Sequence, residues 1–310
     1  MIYYRKIMET YANFPRELLS INAKISSAVD HLTSWLKRPL KAKRERENFM
    51  ISTNERAKTY IEKGKHKTTH KRSKIFVLAI LGGIFSAFGC IGYAFGYYFG
   101  GETGQVTGAL IFPVGIILTT MAGAELFTGN CLLSIPLLSG HVKLWRVIRN
   151  LLVVYIGNLI GSVLIAFLTT SSGVLELIST TVVDTAVMKA TLNPMQAFIR
   201  GLLCNMLITL GIWGAEASKG APGKILSVYF PVVVFVLAGF ENANTNMYFL
   251  SAGAFSSVLH HNSEELATVV RGFITNLIPV SLGNLVGGMG IGALYKFAHV
   301  EKEEIEDLSN

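Results

Sequence analysis

Two long apolar runs in this chain are each broken near the middle by the same polar pattern, A-G-x-E-x-x-x-x-N. The first copy is Ala122 to Asn130, and the second, 116 residues later, is Ala238 to Asn246. A carboxylate or an interrupted helix is costly in hydrocarbon unless it faces protein or a water-filled path. The repeated pattern therefore predicts two broken membrane helices that meet around one pore.

The composition also places the chain in a membrane. Apolar residues make up 51% of the sequence and charged residues 15%, whereas an average soluble domain has about 25% charged residues. Six apolar segments are near or above the roughly 20 residues that cross a bilayer. These segments are 75–99, 107–138, 147–168, 194–217, 225–259 and 275–297, with breaks at 125–130 and 241–246.

A second pattern, G-N-L-x-G, is also repeated, at 157–161 and 283–287. Each half of the chain thus has one plain crossing, one broken crossing and one crossing that carries G-N-L-x-G. Because three crossings per half is an odd number, the second half must be inverted relative to the first. The predicted fold is an all-α membrane protein of six transmembrane helices, arranged as two inverted three-helix repeats in which the second and fifth helices are broken.

The basic charge is concentrated at the N-terminus, where residues 1–74 hold 18 of the 28 Lys and Arg residues. The sequence predicts a basic cytoplasmic extension over 1–49, a pore domain over 50–298 and an acidic cytoplasmic tail over 299–310. With both termini inside, the inner loops and tail carry seven Lys and Arg residues, and the outer loops carry only Lys189 and Arg271. Since cytoplasmic loops accumulate Lys and Arg, we expect a multi-pass protein of the cell membrane with both termini cytoplasmic.

Several function classes are disfavoured by the sequence. The basic extension lacks a nucleic-acid fold signature, so we expect the lipid bilayer, and no nucleic acid, as its partner. Cys90, Cys131 and Cys204 lie in apolar segments without metal-ligand spacing, which predicts small buried residues, no metal and no cofactor. The sequence has no Ser/His/Asp set and no phosphate-binding glycine loop, which argues against an enzyme.

Four motifs in this order resemble those of the formate/nitrite transporter family over about residues 50–298. They lie at 123–128, 157–161, 238–241 and 276–284. The resemblance implies an aquaporin-like protomer that assembles as a homopentamer with a pore in each subunit. It also implies transport of a small monovalent weak-acid anion such as a monocarboxylate, with formate as first choice and nitrite or hydrosulfide as alternatives.

By position, the resemblance implies two apolar constrictions around a polar centre. The outer constriction would comprise Phe112, Leu126 and Phe235. The inner constriction would comprise Ile116 and Phe127.

The resemblance further implies a substrate path of three polar residues. Thr128 matches a hydroxyl at the broken second helix, and Lys189 matches a vestibule lysine that draws anions to the mouth. Asn242 stands where most of the family has a central histidine. Because an amide does not titrate near neutral pH, the proton for any coupled transport would have to come from solvent.

Energetics favour the neutral acid over its anion. Moving a bare carboxylate into a low-dielectric site costs on the order of tens of kcal/mol, whereas protonating an acid of pKa near 4 at pH 7 costs roughly 4 kcal/mol. The sequence therefore predicts proton-coupled, effectively electroneutral movement of the substrate.

The polar residues of the two broken motifs are interpreted as structural supports, with both glutamates accepting backbone N–H groups. These residues are Glu125, Gly129, Asn130, Glu241 and Asn246.

Other interpretations remain open at this point. Asn242 could bond only between helices, and Asn158 and Asn284 could serve close contacts between helices beside their glycines. A centre without a titratable group also suits a channel for neutral solutes of the water or glycerol type. A membrane enzyme or a signalling anchor is the remaining alternative.

Overall fold

The computed structural model of the chain describes residues 50–300, together with the isolated positions Ser27 and Asp30. Apart from these two positions and His299 and Val300, the predicted extension (1–49) and the predicted tail (299–310) lie outside the described residues.

The first half of the described chain contains seven α-helices. They are α1 (Thr53–Thr69), α2 (Arg72–Gly100), α3 (Gly104–Ile111), α4 (Val114–Ala122), α5 (Phe127–Asn130), α6 (Ser134–Leu138) and α7 (Leu144–Ser171). The second half contains six. They are α8 (Ser179–Ala190), α9 (Pro194–Ala217), α10 (Ala221–Leu237), α11 (Ala243–Leu259), α12 (Ser263–Thr275) and α13 (Leu277–His299).

The predicted helical membrane fold is confirmed. Among the described residues, four spans are long and apolar enough to cross a membrane: Arg72–Ala122, Leu144–Ser171, Pro194–Ala217 and Ser263–His299. Two shorter apolar helical stretches, Phe127–Leu138 and Ala221–Leu237, belong to the broken segments. The fourth predicted crossing, 194–217, coincides with α9, and the others differ from their helices by a few residues at the ends.

Three helices differ from the sequence prediction. The sequence Met50 to Glu55 predicts the start of a short helix with Thr53 or Asn54 as its cap. In the structure α1 has 17 residues and its cap is Ser52, whose Oγ accepts a hydrogen bond from the Glu55 N–H. The helices α8 and α12 were not predicted. Both lie in connections that are too short or too polar to register as membrane crossings.

Helix α11 is the most buried of the long helices in the described chain. Met247, Tyr248, Phe249 and Leu250 on it are at most 1% exposed. It packs against α7 and α8 and begins at the second break.

The three cysteines are free and buried, as predicted.

The repeated G-N-L-x-G motifs lie where two pairs of long helices cross closely. A side chain added at Gly161 of α7 would collide with the Ile80 carbonyl of α2, and one added at Gly287 of α13 would collide with the Leu202 carbonyl of α9. Small residues at such crossings let helix backbones approach each other. The two crossings fix the frame around the broken helices.

Each broken helix is interrupted by the same backbone conformation. Gly123 follows α4 with φ 72°, and Gly239 follows the end of α10 with φ 67°. This left-handed region suits glycine and ends helices. The chain then resumes as a helix after an extended residue, Leu126 before α5 and Asn242 before α11.

Candidate functional site

The asparagine of each G-N-L-x-G motif holds the exposed backbone of one break. At the first break, Asn158 Nδ2 donates to the carbonyls of Ala79 (2.7 Å) and Glu125 (2.8 Å), and its Oδ1 accepts from the Phe127 N–H (2.9 Å). Asn158 is fully buried. One side chain therefore joins α2, the break and the start of α5.

The second break repeats these bonds with Asn284. Its Nδ2 donates to the carbonyls of Gly201 (2.6 Å) and Glu241 (3.0 Å), and its Oδ1 accepts from the Ala243 N–H (2.9 Å). Backbone groups freed by a helix break must find partners within the protein, and these asparagines supply them.

A lysine joins the carboxylate and the asparagine of the first motif. Lys67 Nζ donates to Glu125 Oε2 and to Asn130 Oδ1, each at 2.8 Å. Asn130 Nδ2 then donates to Asn150 Oδ1 (2.9 Å), and Asn150 Nδ2 returns to the Lys67 carbonyl (3.1 Å). This closed circuit ties α1 to α5 and α7.

The second motif carries an equivalent cluster around Lys189. Lys189 Nζ lies 3.1 Å from both carboxylate oxygens of Glu241. Asn246 Nδ2 donates to Glu241 Oε2 and to Asn276 Oδ1, each at 2.6 Å. Lys189 and Glu241 are 7% and 4% exposed, so the pair is withdrawn from solvent.

These clusters differ from the sequence prediction in two respects. Among the described residues, neither the Glu125 nor the Glu241 carboxylate accepts a backbone N–H, because the asparagines of G-N-L-x-G hold the breaks instead. Lys189 was counted among the cations of the outer loops, but it lies in the last turn of α8 with Glu241 as its partner, and it lines a vestibule beside the second break.

The membership of Lys67, Asn150 and Asn276 in these clusters was not predicted from the sequence. A signal was available in the internal repeat. Lys67 and Lys189 share the pattern K-x-T, and Asn150 and Asn276 share N-L at the separation of the G-N-L-x-G motifs. Lys67 was overlooked because it lies in the basic region 1–74, where one lysine among many has no distinguishing feature.

Three cavities lie between and beside the two breaks. The central cavity is lined by Ser86, Phe112, Gly115, Ile116, Leu126, Thr128, Ile208, Val232, Phe235, Asn242, Asn244 and Thr245. The Lys189 vestibule is lined by Tyr93, Gln105, Phe112, Thr185, Met188, Lys189, Arg200, Phe235, Val236, Gly239, Phe240, Glu241, Thr245 and Phe249. The Lys67 vestibule is lined by Tyr60, Lys63, Lys67, Ile116, Thr119, Thr120, Gly123, Ala124, Glu125, Leu126, Gly129, Asn130, Ile212 and Glu216.

Shared walls place the cavities in line. Phe112 and Phe235 belong to both the Lys189 vestibule and the central cavity, and their rings meet edge to face with centroids 5.7 Å apart. Ile116 and Leu126 belong to both the central cavity and the Lys67 vestibule. Two apolar partitions therefore separate a polar centre from two charged vestibules.

Two predicted constriction residues occupy positions other than those implied by the resemblance. Leu126 was assigned with Phe112 and Phe235, but it lies in the partition with Ile116. Phe127 lines none of the three cavities defined above. Its ring packs against Tyr155 with centroids 5.1 Å apart, because residue 127 begins α5 and points toward α7.

The Lys67 vestibule is charged at its edge as well as at the break. Lys63 of α1 forms an ion pair with Glu216 near the end of α9. Burial raises the pKa of Tyr60 well above its ordinary value, and Glu216 raises it further, so the phenol of this lining residue is neutral.

The amides of the central cavity have defined orientations. Asn242 caps α11, since its Oδ1 accepts from the N–H groups of Asn244 (2.8 Å) and Thr245 (3.3 Å). Asn244 Nδ2 donates to Asn158 Oδ1 (3.1 Å). The remaining Asn244 Oδ1 and the Thr245 Oγ1 are buried without a hydrogen-bond partner in the described chain. Both unpaired atoms belong to residues that line the central cavity, one an amide acceptor and the other a hydroxyl.

Membrane-spanning helices around three cavities in line define a membrane channel protein. Comparison with known proteins identifies the family of this channel protein. The sequence model of the family described as Formate/nitrite transporter matches residues 54–298, and the chain belongs to this family.

Similar sequences and structures carry related names. The chain is 35% identical over 255 residues to a "Probable formate transporter" of Methanothermobacter thermautotrophicus, covering 74% of this chain and 90% of that protein. It is 30% identical over 275 residues to the formate channel FocA of Escherichia coli (strain K12), covering 80% and 94%. Among solved structures, a "Pentameric formate channel with formate bound" has a TM-score of 0.66 at 27% identity, covering 73% of this chain and 96% of that one. An "FNT family ion channel" has a TM-score of 0.70 at 25% identity, covering 78% and 98%.

Proposed function

We propose that this protein conducts small monovalent weak-acid anions, formate first, each together with a proton as the neutral acid. Family membership, relatives named as formate transporters and channels, and the similar solved channel with formate bound support the substrate class. The path would run from the Lys189 vestibule through the central cavity to the Lys67 vestibule, with Asn242 and Thr128 as polar contacts between the partitions.

The chemistry of the central cavity carries the proposal. None of its twelve described lining residues is titratable, and two of its acceptor atoms, Asn244 Oδ1 and Thr245 Oγ1, lack partners. A carboxylate has only acceptors and would oppose Asn244 Oδ1, whereas the O–H of the neutral acid can donate to it. The unpaired Asn244 Oδ1 therefore favours the protonated form, whereas the Thr245 hydroxyl can bond to either form because it both donates and accepts.

The membrane arrangement is part of the same proposal. The similar pentameric channel supports a homopentamer with a pore in each subunit, and large apolar side chains on the described surface, such as Phe230 (61% exposed) and Phe297 (73%), suit contact with lipid or a neighbouring subunit. We place both termini in the cytoplasm, with 1–49 as an extension, 50–298 as the pore domain and 299–310 as a tail.

Proton coupling is tested by formate uptake into vesicles that contain the purified protein. Between about pH 5.5 and 7.5 the rate should follow the fraction of neutral acid, which changes about tenfold per pH unit. An inwardly directed proton gradient should accelerate uptake. A pH-independent current across a planar bilayer would contradict the proposal and favour a bare-anion channel.

The role of Asn242 is tested by Asn242→His. An imidazole with an ordinary pKa of about 6.5 would add a titrating group to the cavity, so we expect a new inflection in the pH profile of uptake near that value. Asn193→His is the matched control, because Asn193 caps α9 with the same bonds, to Met195 N and Gln196 N, outside the three cavities. A profile unchanged from the wild type would assign Asn242 to scaffolding alone.

Hydrosulfide is the second candidate substrate, because its neutral acid also donates hydrogen bonds and the cavity offers unpaired acceptors. A panel of formate, acetate, lactate, nitrite and hydrosulfide separates the candidates. A neutral-solute channel would instead show rapid glycerol or water flux and little dependence of formate uptake on pH.

A further inference from the structure

The lysine expected to attract anions is neutralised in the structure. Lys189 Nζ lies 3.1 Å from both oxygens of the Glu241 carboxylate, and both residues are buried. A cation and an anion at this distance form a dipole whose field falls off quickly with distance. An anion outside the vestibule therefore experiences little net attraction from Lys189.

A second cation lines the same vestibule. Arg200 of α9 is exposed, and its guanidinium has no hydrogen-bond or ion-pair partner among residues 50–300. Its backbone carbonyl accepts the Glu241 N–H at 3.3 Å, which places this residue directly beside the second break. The charged residues of this vestibule are Lys189, Glu241 and Arg200, so the guanidinium supplies its net charge.

We propose that Arg200 is the cation that attracts anions into the Lys189 vestibule and so raises the local concentration of small anions beside the partition formed by Phe112 and Phe235. The inference rests on the proposed function, since it concerns how the anion reaches the point where it is protonated. A guanidinium stays charged across the working pH range, so this attraction persists where the neutral acid is scarce.

The expected effect is moderate and depends on salt. A unit charge about 5 Å from an anion in a water-like medium enriches it roughly threefold to fivefold, and an exposed charge is screened beyond about 10 Å at 0.1 M salt. A positive vestibule should therefore change the half-saturating formate concentration and leave the saturated rate unchanged.

The first test compares formate uptake by three variants in vesicles, with substrate added on the side of the Lys189 vestibule. Arg200→Gln should raise the half-saturating concentration about threefold to fivefold at low salt, with a much smaller change at high salt. Arg200→Lys should stay close to the wild type. Arg271→Gln is the control, because Arg271 is an exposed cation outside the vestibule on α12, which bonds to the end of α8 through Thr275 Oγ1 and the Ala190 carbonyl (3.1 Å).

Chemical restoration of the charge separates electrostatics from packing. The three native cysteines are buried, so a cysteine introduced as Arg200→Cys can be labelled selectively. A cationic thiol reagent should return the half-saturating concentration toward the wild-type value, and a neutral reagent of similar size should not.

The outcomes separate this inference from the proposed function. Wild-type formate uptake combined with an unchanged half-saturating concentration and salt response in Arg200→Gln overturns the inference alone. An equal effect of Arg271→Gln also overturns it, because general surface charge would then be sufficient. A wild-type protein that moves none of the weak acids of the panel overturns the proposed function itself.

Discussion

At the scale of single residues, the two lysine–glutamate pairs are chemically alike but differ in their access to solvent. The side chains of Lys189 and Glu241 are 8% and 5% exposed, and those of Lys67 and Glu125 are 28% and 10% exposed. Removing one partner of a buried pair leaves an uncompensated charge, which costs more than the pair itself contributes. The two sites should therefore respond differently to the same substitution.

We expect Lys189→Met to destabilise the protein by about 3–5 kcal/mol, because it leaves the Glu241 carboxylate buried without a cation. Lys67→Met should cost less, about 1–2 kcal/mol, since solvent reaches that pair. The measurement is thermal unfolding of the purified protein in detergent. The double variant Lys189→Met with Glu241→Gln should recover much of the loss, and no recovery would show that Lys189 acts by packing.

Residue roles were predictable from the sequence only where a pattern repeats visibly. The carboxylate and asparagine of each broken motif stand out in an apolar run, as Glu125 and Asn130 do. Their cationic partner does not stand out, because Lys67 lies in a basic region and reaches Glu125 only once α1 is folded. The orientation of Phe127 depends on the direction in which α5 begins, which motif spacing does not determine.

At the scale of elements, the breaks depend on one backbone conformation that only glycine adopts easily. A Cβ at Gly239 would meet no heavy atom within 4 Å, so the requirement for glycine there comes from φ 67° and not from crowding. The backbone conformation of Gly239 therefore determines where α10 ends and how the chain reaches Asn242, the extended residue before α11.

We expect Gly239→Ala to destabilise the protein by about 1–2 kcal/mol and to slow transport, because it strains the turn that sets the partition beside Phe235. Gly290→Ala is the matched control. A Cβ at Gly290 would also meet no heavy atom within 4 Å, but this residue lies in α13 without a positive φ. Alanine there should be neutral or stabilising by about 0.5–1 kcal/mol. Equal effects in thermal unfolding would contradict the role of backbone strain.

Elements were predicted in proportion to their apolar length. The span 194–217 matched α9 because a long hydrophobic run has definite ends, and Pro194 begins the helix after the Asn193 cap. The helices α8 and α12 escaped prediction, since each has only 12 or 13 residues and carries polar side chains. Yet α8 positions Lys189, so the missed element carried a residue of the candidate site.

At the scale of the whole molecule, the two halves share a scaffold and differ where the cavities meet. The clamping asparagines occur in both halves with matching bonds, and a lysine–glutamate pair lies beside each break, although the other bonds of the two lysine clusters differ. At equivalent positions of the two broken motifs, however, Leu126 corresponds to Asn242, and Thr128 corresponds to Asn244. One half thus supplies an apolar partition, and the other supplies most of the polar wall of the central cavity.

Two truncations test how much of the chain the channel requires. Deletion of residues 2–49 should leave formate uptake in vesicles near the wild-type rate, because the family match begins at residue 54 and the Lys67 cluster is retained. Deletion of residues 2–70 should abolish uptake, because it removes α1, leaves Glu125 without its cation and removes the Lys67 carbonyl that accepts from Asn150.

The full-length variant Lys67→Met separates the two contributions within the longer deletion. It removes the cation but keeps α1 and the backbone carbonyl of residue 67, so we expect an intermediate rate of uptake. Full activity of the longer deletion would show that α1 is dispensable and that the Lys67 cluster does not support the pore. Loss of activity in the shorter deletion would instead assign an essential role to the extension, because every residue of the three cavities would still be present.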